Sequence, residues 1–117
     1  MALPRGKRLK NAGDFRSVFR SNAGAKAGTL LLKAKPASKE SSRFGIVISK
    51  RVSKKAVERN RLRRLLGEAL KKEQPSLPGP HDIVLVALPG FSVHSLKEAQ
   101  DIVSQLFVKA FQKKSPQ

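Results

Sequence analysis

The stretch IVLVAL (83–88) restricts the fold more than any other segment. It is an unbroken run of β-favouring apolar residues, which reads as a buried strand. A loop dense in Pro and Gly, EQPSLPGPHD (73–82), precedes it. The turn PGFSVH follows it. Ser95 with Glu98 three residues later makes a capping box. Leu96, Ala99, Val103, Leu106, Phe107 and Ala110 then stripe a closing helix that runs to about residue 112.

Upstream, Asn11 is placed to cap a short helix in NAGDFRSVFR (11–20). Asp14 falls in its first turn, and Phe15, Val18 and Phe19 share one face. SNAGAKAG (21–28) reads as a loop or a short irregular strand. TLLLKAK (29–35) reads as a strand, ended by Pro36 and the polar turn ASKESS. RFGIVISKR (43–51) is a further strand, with Phe44, Ile46 and Ile48 on one face and Gly45, Val47 and Ser49 on the other. The short connection between these two strands predicts an antiparallel pair. A long helix starts at Ser53 or a neighbour and reaches about residue 72. The order is helix, strands, helix, strand, helix: an α+β fold, an α/β sandwich with helices on a single sheet. The 117 residues fit one domain, 1–117, with 1–10 as a flexible basic arm and 113–117 as a frayed tail.

Charge sets the function class. Lys and Arg number 25 against 8 Asp and Glu, a net charge of +17. Such an excess is self-repulsive and calls for a partner outside the fold. Nucleic acid is the first candidate, because phosphates neutralise these side chains and release counterions. A membrane surface is the second, and a basic protein with no polyanionic partner is the plain alternative. No apolar segment approaches the length of a membrane span. The basic start MALPRGKRLK lacks the apolar run of a signal peptide. With no cysteine, disulfides, thiolate catalysis and Cys-based metal sites are excluded, and a reducing, cytoplasmic setting is compatible.

The basic residues concentrate in KKAVERNRLRRLLGEAL (54–70), with six Lys or Arg in its first eleven positions. At about 100° per residue, Leu62, Leu65, Leu66 and Ala69 form an arc that packs on the sheet. Ala56, Asn60, Arg63, Arg64, Gly67 and Lys71 form a nearly opposite arc, flanked by Arg59 and Arg61. That outer arc has no acid, since Glu58 and Glu68 lie off it. A solvated face ordinarily mixes signs. Arg brings a planar fork that suits phosphate oxygens, and Asn60 adds a donor and an acceptor. Ala56 and Gly67 leave room for a close backbone approach. The arc is therefore predicted to bind phosphates, against the reading of an ordinary solvated face.

Protein-borne catalysis finds no support. Glu98 and Asp101 are the closely spaced acids, and they suit the first turns of a helix. His81 and His94 read as surface or cap residues. No Ser-His-Asp arrangement, phosphate-cradling Gly loop or zinc spacing is present. Phe15 and Phe19 read, from spacing alone, as core rather than as base platforms. Gly45 fits either a bulge or a close approach of RNA.

At ERNRLRRL (58–65) the pattern resembles the signature of the bacterial ribonuclease P protein subunit, an Arg-Asn-Arg core followed by a basic pair. RLKNAGDFRSVFR, RFGIVISKRVSKKAVERNRLRRLLGEAL and SLKEAQDIVSQLFVKAF resemble that family's N-terminal segment, its strand–loop–helix and its closing helix. The resemblance implies a four-stranded mixed sheet like a domain of ribosomal protein S5, with a left-handed β-α-β crossover. It implies a protein that assists a catalytic RNA in Mg²⁺-dependent removal of the 5′ leader from precursor tRNA. Catalysis and Mg²⁺ would be RNA-borne, with no catalytic or metal residue on the protein. Partners would be the RNA subunit and the leader, with no membrane and no small-molecule substrate. By the same resemblance, Arg59, Asn60, Arg61, Arg63 and Arg64 match the basic motif, and Arg8 and Lys10 match the basic N-terminal segment. Lys54, Lys55 and Lys71 join this RNA-binding set. Phe15, Phe19, Ser49, Lys50 and Arg51 match the leader cleft, which Lys33 and Ala56 would border. One departure is the strand LLLKAK, which lacks the aromatic that many members carry there; Lys33 or Leu32 would meet the leader instead.

Three readings follow. The first is a non-catalytic subunit of an RNA-based tRNA-processing endonuclease. The second is a structural RNA-binding protein of the same fold. The third is a protein-only nuclease, against which the scarcity of carboxylates speaks.

Overall fold

The computed structural model describes residues 8–9, 12–20, 24–37 and 42–111. Its elements are α1 (Ala12–Phe19), β1 (Gly24–Ala27), β2 (Leu30–Pro36), β3 (Arg43–Ile48), α2 (Ala56–Glu73), a 3-10 turn (Gln74–Ser76), β4 (His81–Ala87) and α3 (Leu96–Phe111). The expected Asn11 cap, the 113–117 tail and most of the 1–10 arm lie outside the described residues.

The apolar strand β4 takes an inner position in a four-stranded sheet of order β1-β2-β4-β3. It runs antiparallel to β2 and parallel to β3. Its two faces feed two cores. Ile83, Leu85 and Ala87 join Leu30, Leu32, Phe44 and Ile48 beneath α2 and α3. Val84 joins Leu9 and Val18 on the other face, under α1. A strand with apolar side chains on both faces gains most from this position.

That same placement overturns the expected pairing of β2 with β3. β4 lies between them, so β2 and β3 are not neighbours in the sheet. β2 has a mixed pattern: Leu30, Leu32 and Ala34 are buried, while Lys33 and Lys35 alternate with them. The hairpin that does form joins β1 to β2 through Gly28 and Thr29. Gly28 has φ 59°, with glycine at the first central position as a tight two-residue hairpin turn favours. SNAGAKAG thus supplies a short edge strand in its second half.

Boundaries shift for identifiable reasons. β4 begins at His81, inside the expected loop, because the His81 N–H donates to Ser42 Oγ at 2.9 Å and Asp82 is held by Arg43. β3 stops at Ile48, where the Val52 N–H donates to the Ser49 carbonyl and closes a turn. α2 starts three residues after Ser53, whose Oγ instead accepts from the Lys55 N–H. At α3, Ser95 Oγ accepts from the Glu98 N–H at 3.2 Å, as the capping box requires. The Glu98 carboxylate closes on the N–H of His94, at 2.7 Å.

α1 is fastened to the sheet by polar as well as apolar contacts. Arg43 donates to both carboxylate oxygens of Asp82, at 3.3 and 3.1 Å, and to Asp14 of α1 at 3.1 Å. Lys35 Nζ donates to Ser17 Oγ of the same helix. Val18 is fully buried and Phe15 half-buried, so the apolar face expected of this helix is real, but Phe19 stays 40% exposed. Asp82 is buried, and its hydrogen bonds hold the Arg43 guanidinium still more firmly protonated than usual. Arg43→Ala leaves that carboxylate buried without its partner. It is expected to lower stability by about 3 kcal/mol in urea unfolding, with Arg43→Lys recovering part of the loss.

Candidate nucleic-acid interface

The basic side chains reach the surface by two local devices. The first is the connection from β3 to α2. Ser49 Oγ accepts from the Arg51 N–H at 3.2 Å, which folds the turn and leaves Ser49, Lys50 and Arg51 exposed. Lys54, Lys55 and Ala56 follow, also exposed. Lys55 is the N-cap of α2 and offers no side-chain cap. Cations at a helix N-terminus oppose its dipole, and a Lys cannot accept from the free N–H groups there. Local helix rules are thus broken where the basic residues cluster, as at a surface shaped for an anion.

The second device is the α2 stripe. Leu62, Leu66, Ala69 and Leu70 are buried against the sheet and α3, and Leu65 packs beside them. Asn60, Arg63, Arg64 and Lys71 are exposed on the outer side. Asn60 Oδ1 accepts from Arg63 Nη1 at 3.1 Å, which orients that guanidinium and leaves its other N–H groups to be directed outward.

Three members of the expected interface behave differently. Arg61 turns inward: it makes a two-pronged contact with Glu58, at 3.1 and 2.8 Å, and donates to the Val93 carbonyl at 2.9 Å. It ties α2 to the segment before α3. Arg59 is half-buried and donates to the Ser53 carbonyl at 2.9 Å, bracing the turn. Gly67, expected on the outer arc, is buried. It lies within that arc, on the side of α2 near residues 8–9 and β3.

Acids are largely taken up inside the fold. Asp14 and Asp82 bind Arg43, Glu58 binds Arg61, Asp101 meets Lys97, and Glu98 caps α3. The positive surplus is therefore left to the outer faces. Among the described residues, no group of three or more His, Asp or Glu is arranged to hold a metal ion. No described helix is long and apolar enough to cross a membrane.

On the other face of the sheet, Lys33 shares α1's side with Lys35, two positions on. Phe15 is pressed onto Gly45: a Cβ there would lie 2.5 Å from the Phe15 ring. Gly45 thus makes room for a side chain of its own fold. Arg8 bridges to Phe44 along the outer edge of β3, and the Leu9 N–H donates to the Phe44 carbonyl at 2.8 Å. Lys10 lies outside the described residues. Arg43, which places α1, and the Val93 carbonyl, which anchors Arg61, do not stand out in the sequence. A charged residue heading each of two apolar strands, Arg43 and Asp82, is the available signal for the first. Nothing local marks the second.

A family model described as Ribonuclease P matches residues 3–111. The chain belongs to the ribonuclease P protein family. The ribonuclease P protein component of Nitrosomonas europaea is 35% identical over 108 residues, covering 92% of this chain and 90% of that relative. That of Pseudomonas savastanoi pv. phaseolicola is 45% identical over 87 residues, 74% of this chain and 65% of the relative. Among solved structures, a mutant RNase P protein of Staphylococcus aureus superposes with a TM-score of 0.79 at 20% identity, covering 91% of this chain and 89% of that one. The Thermotoga maritima RNase P protein gives 0.73 at 22%, covering 84% and 94%. The likeness extends to the α+β fold, with its four-stranded mixed sheet and three helices. Membership makes this chain a protein component of a tRNA-processing ribonucleoprotein, an endoribonuclease complex.

The Glu58–Arg61 contact has a pH signature. Its hydrogen bond from Arg61 draws the Glu58 carboxyl below its ordinary 4.5. A depressed carboxyl adds stability above its unfolded pKa and loses it as pH falls through the folded value. A carbon NMR titration should place the Glu58 midpoint below 4.5, returning toward it in Arg61→Ala.

Proposed function

We propose that this chain is the non-catalytic protein subunit of its ribonuclease P. It binds the catalytic RNA through the β3–α2 turn and the outer face of α2. It holds the 5′ leader of precursor tRNA against α1 and the neighbouring sheet face. Cleavage is carried out by the RNA, giving mature tRNA with a 5′-phosphate, in the cytoplasm. The observation that carries this reading is the acid-free, exposed set Lys50, Arg51, Lys54, Lys55, Asn60, Arg63, Arg64 and Lys71 on one turn and one helix face. Arg side chains on such a face meet phosphate oxygens in pairs, and the Lys side chains add point charges.

Mg²⁺ belongs to the RNA in this reading. Among the described residues no group of three or more His, Asp or Glu could hold a metal ion, and no step is routed through a metal on the protein. Phe19 is the better candidate for base stacking than Phe15, because its ring is exposed while that of Phe15 is packed on Gly45. The strand that holds LLLKAK has no aromatic, so Lys33 would supply charge to the leader, or Leu32 an apolar contact, rather than a stacking surface.

Affinity for the RNA subunit as a function of salt tests the interface. Arg63→Ala with Arg64→Ala should flatten the slope of log K against log salt by roughly 1 for every phosphate no longer neutralised. Arg61→Ala should leave the slope nearly unchanged and lower stability instead, because its guanidinium is engaged by Glu58 and Val93. Equal effects of all three substitutions would contradict the assignment. In the assembled complex, Phe19→Ala should weaken precursor tRNA by roughly tenfold and mature tRNA little.

A further inference from the structure

Asp14 stands where charge alone would not place it. It is one of 8 acids in a chain with 25 Lys and Arg, and it lies on α1, the helix read above as facing the leader. A carboxylate there repels phosphate. An acid in the first turn suits the helix dipole, but the dipole does not call for the partner it has. Asp14 Oδ2 accepts from Arg43 Nη1 at 3.1 Å, 29 positions away in the chain. Arg43 gives Nε and Nη2 to Asp82, so the two acids use different edges of one guanidinium. The Asp14–Arg43 pair is mostly shielded, its side chains 26% and 18% exposed, and salt screens such a pair less than a surface one.

The rest of α1 meets the sheet strand by strand. Phe15 rests on Gly45 of β3, Val18 packs with Val84 of β4, and Ser17 accepts from Lys35 of β2. Arg16, Phe19 and Arg20 are exposed, at the spacing that puts three residues on one helix face. A helix of 8 residues is not stable by itself, so these contacts set its rotation about its own axis. The apolar ones are non-directional. The bond from Arg43 is directed, and it acts at the N-terminal end of the helix. Fixing a register is the best-attested use of a desolvated ion pair, whose net contribution to stability is small.

We infer that Asp14 is a positioning residue for precursor tRNA: held by Arg43, it fixes the rotation of α1 over the sheet and so the place at which the Phe19 ring meets the leader. The inference rests on the leader-binding reading above and deepens it. Asp14 acts through Phe19 and touches no RNA itself. Arg16 and Arg20 share the face of Phe19 and are carried with it.

The sign of one substitution separates this role from simple charge. Asp14→Ala removes a negative charge from a helix that faces RNA, so by electrostatics alone precursor tRNA would bind more tightly. By loss of position it binds more weakly. In the complex assembled with the RNA subunit, Asp14→Ala should weaken precursor tRNA by roughly fivefold, within the loss expected of Phe19→Ala, and leave mature tRNA and the RNA subunit nearly unaffected. Asp14→Glu keeps a carboxylate for Arg43 and should recover most of that loss. The Arg43–Asp82 fork is untouched in both variants, and circular dichroism checks their fold. A double-mutant cycle is the second measurement: with Phe19→Ala in place, Asp14→Ala should weaken precursor tRNA no further. Tighter or unchanged precursor binding by Asp14→Ala would overturn the inference. Equal losses for precursor and mature tRNA, or losses that add in the double mutant, would overturn it too and leave the leader reading standing. Precursor binding insensitive to Phe19→Ala would instead defeat the leader reading itself, and the inference with it.

Discussion

The Arg43 guanidinium holds three elements together. It stands at the first position of β3, opposite Asp82 at the head of β4, and grips Asp14 of α1 from there. Arg43 thus links the parallel register of β3 and β4 to the seat of α1, which Lys35 and Val18 also hold. With α1 so placed, Phe15 comes to rest on Gly45, and Leu9 closes against the edge of β3. An apolar pair of similar size would pack here too, but would not fix the angle of a helix of only 8 residues.

The fold also disposes of charge in an orderly way. A chain of net charge +17 has few carboxylates, and the fold uses them where they staple elements or cap helices. Arg43, Arg61 and Lys97 take acid partners, and Arg59 takes a carbonyl. Among the described residues, the exposed remainder of the basic side chains is concentrated on the β3–α2 turn and α2. Lysines at the N-terminus of α2, against its dipole, show that this surface is not arranged for the stability of the isolated chain. Phosphates placed there would relieve both the repulsion and the dipole mismatch.

Much of this was legible in the chain itself. IVLVAL announced a buried strand, and the leucine stripe of α2 and the Ser95–Glu98 cap were readable from local periodicity and capping chemistry. Strand order was not, because pairing is decided by which strand gains most from the centre, a comparison between distant segments. The short strand Gly24–Ala27 was obscured by small residues with little β preference, although Gly28–Thr29 carried the hairpin signal. In the site, helical projection found the exposed Asn60, Arg63, Arg64 and Lys71. It could not separate Arg61 from them, because the Val93 carbonyl that draws Arg61 inward lies 32 residues away. Gly67 was misplaced for a related reason: projection gives an angle on the helix, while β3 and the 8–9 segment determine what that angle faces.

At the centre stands the claim that this protein assists an RNA rather than cutting RNA itself. The most direct measurement is cleavage of a precursor tRNA at near-physiological Mg²⁺ and salt. Protein freed of RNA, a bacterial ribonuclease P RNA alone, and the two together are compared. Strong cleavage at the correct 5′ site is predicted for the mixture, weak cleavage for the RNA alone and none for the protein. Cleavage by the RNA-free protein would contradict the claim, and so would a mixture no more active than the RNA.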